Sequence, residues 1–588
     1  MGTSPNPAIA ADRYEVAALP PSAAPPREAG ELPAILGTAD VARYRAIASL
    51  QDDGRFAAAD AEIAGLQDRV LLGHVLAQRY LDHRYKPRYD ELHDWLQHYT
   101  DLPQAQVIHW LALKRKPAGA HLANIPDTAP IELRGIVDDP ADLRPPCRAA
   151  ASDAAGTAKL EIRRLAHSDP AAAEEVLQRS DRDHLFSDAD YDEARADVAE
   201  GYLFAGESQR ALLLAATART AAYRPLSHWD AGLAAWRLGR LDEARTHFEA
   251  LARLPHLSRW NLSAAAFWAA RVHTRSKRPE QATYWLRMAA QQTRTFYGLL
   301  ARRTLGLETS FDFEPEIFGD IDLGALTGIP AARRALALLQ TGDRRAAELE
   351  LRMMASDASF TLYPALFALA DRGNMPALSV QLATMQSQVD GRRHDNALFP
   401  MPRWQPASGF TVDRALLFAV MRQESQFLPS AESGAGAVGL MQLMPSTAQA
   451  MATRLGMTLN GHGKGAQKLT DPEVNLTLGQ HFLFSLLEHE QIKGNLILFA
   501  AAYNSGPGNL LRWRARPEYQ GDPLLFLESM PSRETRIFTE RVLTNYWVYR
   551  LRLKQPSPDL DMLAAGRWPV YVAMDAQPRQ VASNASAR

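Results

Sequence analysis

Residues Leu416 to Pro445 read LLFAVMRQESQFLPSAESGAGAVGLMQLMP. An apolar run of helical period ends on a single carboxylate, Glu424, and a loop carrying Gly434, Gly436 and Gly439 follows. The run Val412 to Met421 predicts a buried or amphipathic helix, with Asp413 near its start, where a carboxylate complements the helix dipole. Glu424 then falls in the last turn, where the negative end of the dipole disfavours an anion and apolar neighbours add desolvation. Both effects raise a carboxyl pKa, as a general acid working near neutral pH requires. An exposed glutamate at a helix end is the plain alternative, and position alone does not separate the two.

Around this stretch the texture from about Pro400 onward is one of glycine turns between short helices, the setting in which loops carry function. AAYNSGPG, Ala501 to Gly508, ends an apolar helix with Tyr503 and Asn504 before a Gly-Pro-Gly turn; a simple helix C-cap is its ordinary reading. ESMPSRETRIF places Glu534 between Arg533 and Arg536, by default a solvated ion-pair cluster. LMQLMP sets Gln442 between apolar residues.

Upstream, from about residue 31 to 385, the chain is rich in Ala and Leu with helical periodicity and almost no alternating pattern. A small motif recurs there: a turn glycine, then an alanine five positions on. It occurs as Gly54 with Ala59, Gly206 with Ala211, Gly239 with Ala244 and Gly342 with Ala347. The glycine supplies a left-handed helix cap, and the alanine lets the next helix pack closely. The stretch Trp229 to Leu251, WDAGLAAWRLGRLDEARTHFEAL, resembles a tetratricopeptide-type helix pair, and Gly239 follows Gly206 by 33 residues. The other spacings are irregular, so an irregular α-solenoid is expected, with a plain helical domain as the alternative. The polar stretch at residues 386 to 400 marks the boundary with the C-terminal region.

At 588 residues the chain exceeds the roughly 250–300 at which single cores stop growing, so several domains are expected. A formal net charge of -2 gives no global electrostatic footprint for nucleic acid. The one cysteine, Cys147, excludes an intramolecular disulfide and a multi-cysteine zinc site. Sixteen histidines form no HExxH, and His481 with His489 on one helix read as surface or core, so no metal and no cofactor are expected. RVHTRSKRP, Arg271 to Pro279, reads as a solvated basic face. No run approaches the roughly 20 apolar residues of a membrane span. The first thirty residues and the tail read as disordered, and no secretory signal is visible at the start.

Taken in order, RQES, GLMQLMP, DPEVNLTLG, AAYNSGPG and ESMPSRETR resemble the soluble lytic transglycosylases, in particular the large doughnut-shaped type of the Slt family, over roughly residues 410 to 550. LLGHVLAQRYL and TFYGLLA look like that family's superhelical segment, extending the resemblance more weakly to residues 35 to 555. The resemblance implies an all-α fold: a disordered lead-in at 1–30, an α-superhelical domain at 31–310 and a helical linker domain at 311–399. A lysozyme-like catalytic domain at 400–565 and a flexible tail at 566–588 complete it. It also implies cleavage of the β-1,4 bond between N-acetylmuramic acid and N-acetylglucosamine in peptidoglycan, leaving a 1,6-anhydromuramoyl end.

Ordinary glycosidases need two carboxylates. After Glu424 the next acids are Glu432, in the glycine loop, and Asp471, well downstream, so no adjacent partner stands out. In the family's mechanism one glutamate does both jobs, and by motif position that residue is Glu424. Tyr503 would hydrogen-bond near the reacting sugar, Ser433, Gln442 and Met444 would line the saccharide groove, and Glu534 would orient Glu424 or bind substrate, with Asn504 beside them. The implied partners are glycan strands of peptidoglycan, with envelope proteins unknown; the implied compartment is the periplasm, inferred from function. Two departures stand out: a glycine-rich stretch at Met457 to Leu469 that looks longer than expected, and Ser505 where the family usually has Ala. A goose-lysozyme-like muramidase and a helical scaffold that binds without turnover are the competing readings.

Overall fold

In a computed structural model, residues 32–126, 131, 141–146, 148–314, 324, 326–358, 360–459, 469–515 and 521–575 are described. The expected disordered lead-in, Cys147 and most of the Met457–Leu469 stretch lie outside them.

Helix follows helix throughout, and among the described residues the only β pairing is three isolated antiparallel bridges. The first block runs from the helix Thr38–Asp52 to the helix Phe296–Thr304 as a superhelix of short antiparallel pairs. Its punctuation is chemical. Ser152, Asp169, Ser187, Ser258 and Thr295 each accept a backbone N–H from the first turn of the helix they precede. Gly54, Gly206, Gly239 and Gly342 all take positive φ, and Ala59, Ala211, Ala244 and Ala347 are all fully buried, so the recurrent pair does what its residue types require.

The pair of helices Arg224–Arg237 and Leu241–Ala252 sits around an aromatic cluster. Trp229 and Trp236 present edges to Trp268 at 6.2 and 5.5 Å, and Phe248 lies 5.5 Å from the same ring. A Cβ on Gly232 would stand 2.7 Å from the Phe248 ring, so glycine sets how closely the two helices approach. RVHTRSKRP belongs to this core in part, contrary to the expected solvated face. Arg271 stacks on Trp268 and Trp236 and pairs with Asp522 at 2.7 Å, and His273 is buried 2.7 Å from Glu249.

Four helices, Pro330–Thr341, Arg344–Asp357, Tyr363–Arg372 and Pro376–Asp390, link the superhelix to the last region. They also hold the start of the chain. The amides of Ile35 and Leu36 donate to Gln340 Oε1 at 2.8 and 2.9 Å, and His74 Nε2 lies 2.6 Å from Glu350 Oε1. Arg334 closes the buried cluster by bridging Glu350 and Asp101. These contacts span about 300 positions in sequence, so the superhelix closes on itself.

The last linker helix ends at Gly391, inside the stretch expected to mark the boundary, and its neighbour Asp395 is fully buried and paired with Arg294 of the superhelix. Phe296 stacks on Trp547 with centroids 5.2 Å apart, and Tyr297 donates to Glu528, so superhelix and C-terminal region share one core. Residues 566–575, expected to open the flexible tail, are packed. Leu496 donates to the Pro569 carbonyl at 2.9 Å and Tyr571 to that of Gly494 at 2.8 Å. Asp413 receives the amides of Met574 and Asp575 at 2.8 and 2.9 Å and pairs with buried Arg550 at 2.7 Å. Its carboxylate therefore ties the chain end to the start of the helix Arg414–Glu424.

Candidate active site

The helix Arg414–Glu424 is buried along nearly its whole length, and Glu424 is its last residue. Beyond it the chain turns through two consecutive non-glycine residues in the left-handed region, Gln426 at φ 51° and Phe427 at φ 65°. Such conformations cost of order 1–3 kcal/mol each, and they persist only where the surroundings over-determine them. Phe427 is 0% exposed, so burying its ring holds the turn in place.

The glycine loop is locked by side chains onto backbone. Ser425 Oγ donates to the Leu440 carbonyl at 2.7 Å, and Gln442 Nε2 donates to the carbonyls of Ala431 and Gly439 at 3.0 and 2.9 Å. Ser433 Oγ accepts the Ala437 amide at 3.0 Å. Asn475, fully buried, does most: its Oδ1 accepts the Met441 amide at 2.9 Å, and its Nδ2 donates to Val438 and Leu469 carbonyls at 3.1 and 2.8 Å. Gly439, at φ 84°, lies against it, where a Cβ would meet Asn475 Nδ2 at 2.2 Å. Asn475 and Ser425 stand inside the motifs DPEVNLTLG and RQES, yet sequence reading assigned them nothing. A short polar residue in an apolar helix was the available signal.

The third wall is the helix Leu496–Ser505. Tyr503 stacks on Phe538 and donates its hydroxyl to the Met441 carbonyl at 2.6 Å. Ser505 donates to Ala501 at 2.6 Å, and Gly506 turns the chain at φ 83°, so serine at this position leaves the turn intact. Asn504 faces the first turn of the helix Arg533–Arg552, accepting from Thr535 Oγ1 at 2.6 Å and reaching Glu534 Oε1 at 3.5 Å. Ser532 caps that helix, and Arg533 and Arg536 turn away from Glu534 toward Asp142 and Glu200 of the superhelix. Both arginines of the expected ion-pair cluster thus pair elsewhere, and Glu534 stands exposed, with its charge felt at Glu424.

Glu424 is half-buried, and among the described residues no side chain hydrogen-bonds to its carboxyl. Desolvation, and secondarily the charge of Glu534, push its pKa up to about 8. Tyr503 is pushed well above its ordinary value by burial and by the charge of Glu424. The fold thus gathers Glu424, Tyr503, Asn504 and Glu534 from three helices. Gln442 and Ser433 spend hydrogen-bonding groups on the loop that faces them, and Met444 is 42% exposed at that loop's exit. One protonated carboxyl at neutral pH, beside an ionisable one and a phenol, is suited to acid catalysis on a neutral substrate.

Residues 404–525 match the family model of the transglycosylase SLT domain. The match begins before the helix Arg414–Glu424 and ends nine residues short of Glu534. The soluble lytic murein transglycosylase of Escherichia coli is 30% identical over 306 residues, 51% of this chain and 45% of that protein. The chain therefore matches about half the length of that curated relative or less. The solved lytic transglycosylase Slt of Pseudomonas aeruginosa superposes with a TM-score of 0.53 at 21% identity, covering 89% of this chain and 88% of the other. The 70 kDa soluble lytic transglycosylase of Escherichia coli gives 0.54 at 18%, covering 91% and 99%. These likenesses carry the fold, an all-α superhelix with a lysozyme-like SLT domain, and bear out the resemblance read from the motifs.

Proposed function

We propose that this chain is a lytic transglycosylase that cleaves the β-1,4 bond between N-acetylmuramic acid and N-acetylglucosamine in peptidoglycan, in the periplasm where that polymer lies. The observation that carries the reading is Glu424, a single carboxyl with its pKa raised to about 8, at the end of a buried helix and facing a glycine loop.

Glu424 in its acid form protonates the glycosidic oxygen as the C1–O bond breaks. The positive charge at C1 is met by the substrate's own N-acetyl group. Glu424, now a carboxylate, takes the proton of the C6 hydroxyl as that oxygen attacks C1. The proton count closes on one residue, no water is consumed, and the product carries a 1,6-anhydro ring. Tyr503 and Asn504 bind the reacting sugar's polar groups, burial and secondarily the charge of Glu534 hold Glu424 protonated, and Ser433, Gln442 and Met444 border the groove. The Pseudomonas structure is of an inactive mutant in which one glutamate is replaced by glutamine, which fits dependence on one such residue.

The deciding experiment is mass spectrometry of soluble products after incubation with purified sacculi, with Glu424→Gln as control. Fragments one water lighter than hydrolytic ones, absent from the control, are expected. Ordinary reducing ends would make the enzyme a muramidase, with Glu534 as its second carboxylate. No products at all would favour a binding scaffold.

A further inference from the structure

The first turns of the helix Arg533–Arg552 lie against the superhelix around a small cavity of about 60 Å³, room for a few waters. Five acids line it: Asp142, Glu200 and Asp230 from the superhelix, and Glu528 and Glu540 from the C-terminal region. Two arginines line it as well, and both are engaged. Arg533 pairs with Asp142 at 3.0 Å, while Arg536 donates to the Met530 carbonyl and stands 4.0 Å from Glu200. Glu200 is held more closely by Arg144, at 2.5 Å. Among the described residues, Asp230, Glu528 and Glu540 form no ion pair.

The bonding of these three acids requires protons. Glu528 and Glu540 hydrogen-bond to each other, which two carboxyl groups do only with a proton between them. Tyr297 also donates to Glu528, and Trp268 Nε1 donates to the Tyr297 hydroxyl at 3.1 Å, so Glu528 is the acceptor and Glu540 the acid. Asp230 is 4% exposed, and among the described residues nothing hydrogen-bonds to its carboxyl. Burying an unpaired ion is unfavourable, and a proton removes the charge. Burial raises Glu540 and Asp230 well above the ordinary carboxyl range, helped by the charge of Glu528 at the first and of Glu200 at the second. Arg536 and Arg541 oppose this at Glu540, and Arg144, Arg536 and Arg195 at Asp230, without reversing it. Burial raises Glu528 too, against Tyr297, Arg536 and Arg271.

We propose that this interface is a proton-held latch: protons on Glu540 and Asp230 clamp the first turns of the helix Arg533–Arg552 to the superhelix, and their loss as pH rises releases those turns. The far end of the helix stays fixed, because Phe296 stacks on Trp547 and neither ring titrates. Glu534 rides on the first turn, so the latch also sets how firmly that residue is held. Opening exposes the acids to water, where they ionise above about pH 4. The latch is therefore at full strength below that pH and weakens as pH climbs toward the raised values.

The test is hydrogen exchange of the full chain, read by mass spectrometry from about pH 6 to about pH 9 and corrected for the intrinsic pH dependence of exchange. In the parent, the opening constant of residues 528–540 and of the helix Arg224–Arg237 is expected to rise up to about tenfold per pH unit for each proton released. Exchange around Trp547 is expected to stay level. Glu540→Gln keeps a donor toward Glu528, and Asp230→Asn keeps the shape of the acid without its charge. Each variant is expected to lose one proton's share of the slope, to match the parent in Tm at low pH and to exceed it at high pH. Level opening in the parent, the parent's slope in both variants, or a Tm below the parent's at every pH overturns the latch.

Discussion

The hydroxyl of Tyr503 donates a 2.6 Å hydrogen bond to the carbonyl of Met441, while Asn475 Oδ1 accepts the amide of the same residue at 2.9 Å. The loop facing Glu424 is thus gripped at one peptide from both sides, by residues 62 and 34 positions away. Tyr503→Phe leaves the Met441 carbonyl without its donor. A loss of about 1–3 kcal/mol in urea unfolding is expected, with turnover on glycan falling as the loop loosens.

Replacing Glu424 by Gln removes a carboxyl that folding keeps protonated. Its folded pKa, about 8, lies above the ordinary 4.5, so the native state holds a proton that the unfolded state gives up between those values. Stability from this group is therefore full below pH 4.5 and lost as pH rises toward 8. Glu424→Gln should match the parent in Tm at low pH and exceed it increasingly up to about pH 8, while turnover falls about 10²- to 10⁴-fold or more. Equal pH dependence of Tm in the two proteins would contradict the raised pKa.

In the proposed mechanism the acid form of Glu424 is the reactive one, and it then follows that kcat/KM should fall on the alkaline side with a midpoint near 8. Glu534 contributes to that midpoint by like-charge repulsion, second to desolvation. Glu534→Gln is expected to move the alkaline limb to lower pH without returning it to 4.5, since burial of Glu424 is unchanged. A pH-rate profile on soluble glycan measures the displacement.

Gly439→Ala tests the loop through sterics alone. The added Cβ meets Asn475 Nδ2 at 2.2 Å and the Leu469 carbonyl at 2.3 Å, at a φ of 84° that alanine disfavours. A destabilisation of about 3 kcal/mol or more is expected in chemical denaturation. Gly436→Ala, with nothing within 4 Å of its Cβ, carries the positive-φ cost only and should lose about 1 kcal/mol.

Helical period, turn glycines and capping residues are local properties, and they made the all-α class and the Gly-Ala helix junctions legible from Gly54 to Ala347. Glu424 was legible because its place at the end of an apolar helix is written in eleven consecutive residues, and the ordered motifs brought Tyr503, Asn504 and Glu534 with it. Long-range pairing was not legible. Nothing near Asp413 announces that its carboxylate binds amides about 160 positions on, and that contact turns an expected tail into a packed segment. Arg271 and His273 look like surface charge until Asp522 and Glu249 arrive beside them. Nor does anything local announce that Gln442 Nε2 donates to the Ala431 and Gly439 carbonyls and so closes the loop that holds it.

The sequence alone determined the all-α class and the glycine junctions between helices, and it marked Glu424 as a candidate acid, because these depend on neighbours within a turn or two. Only the tertiary structure decided how acidic that carboxyl is, that the charge of Glu534 is felt there and which carboxyls gather around one cavity. Desolvation and Coulomb interaction depend on distance through space, and chain separation does not encode it.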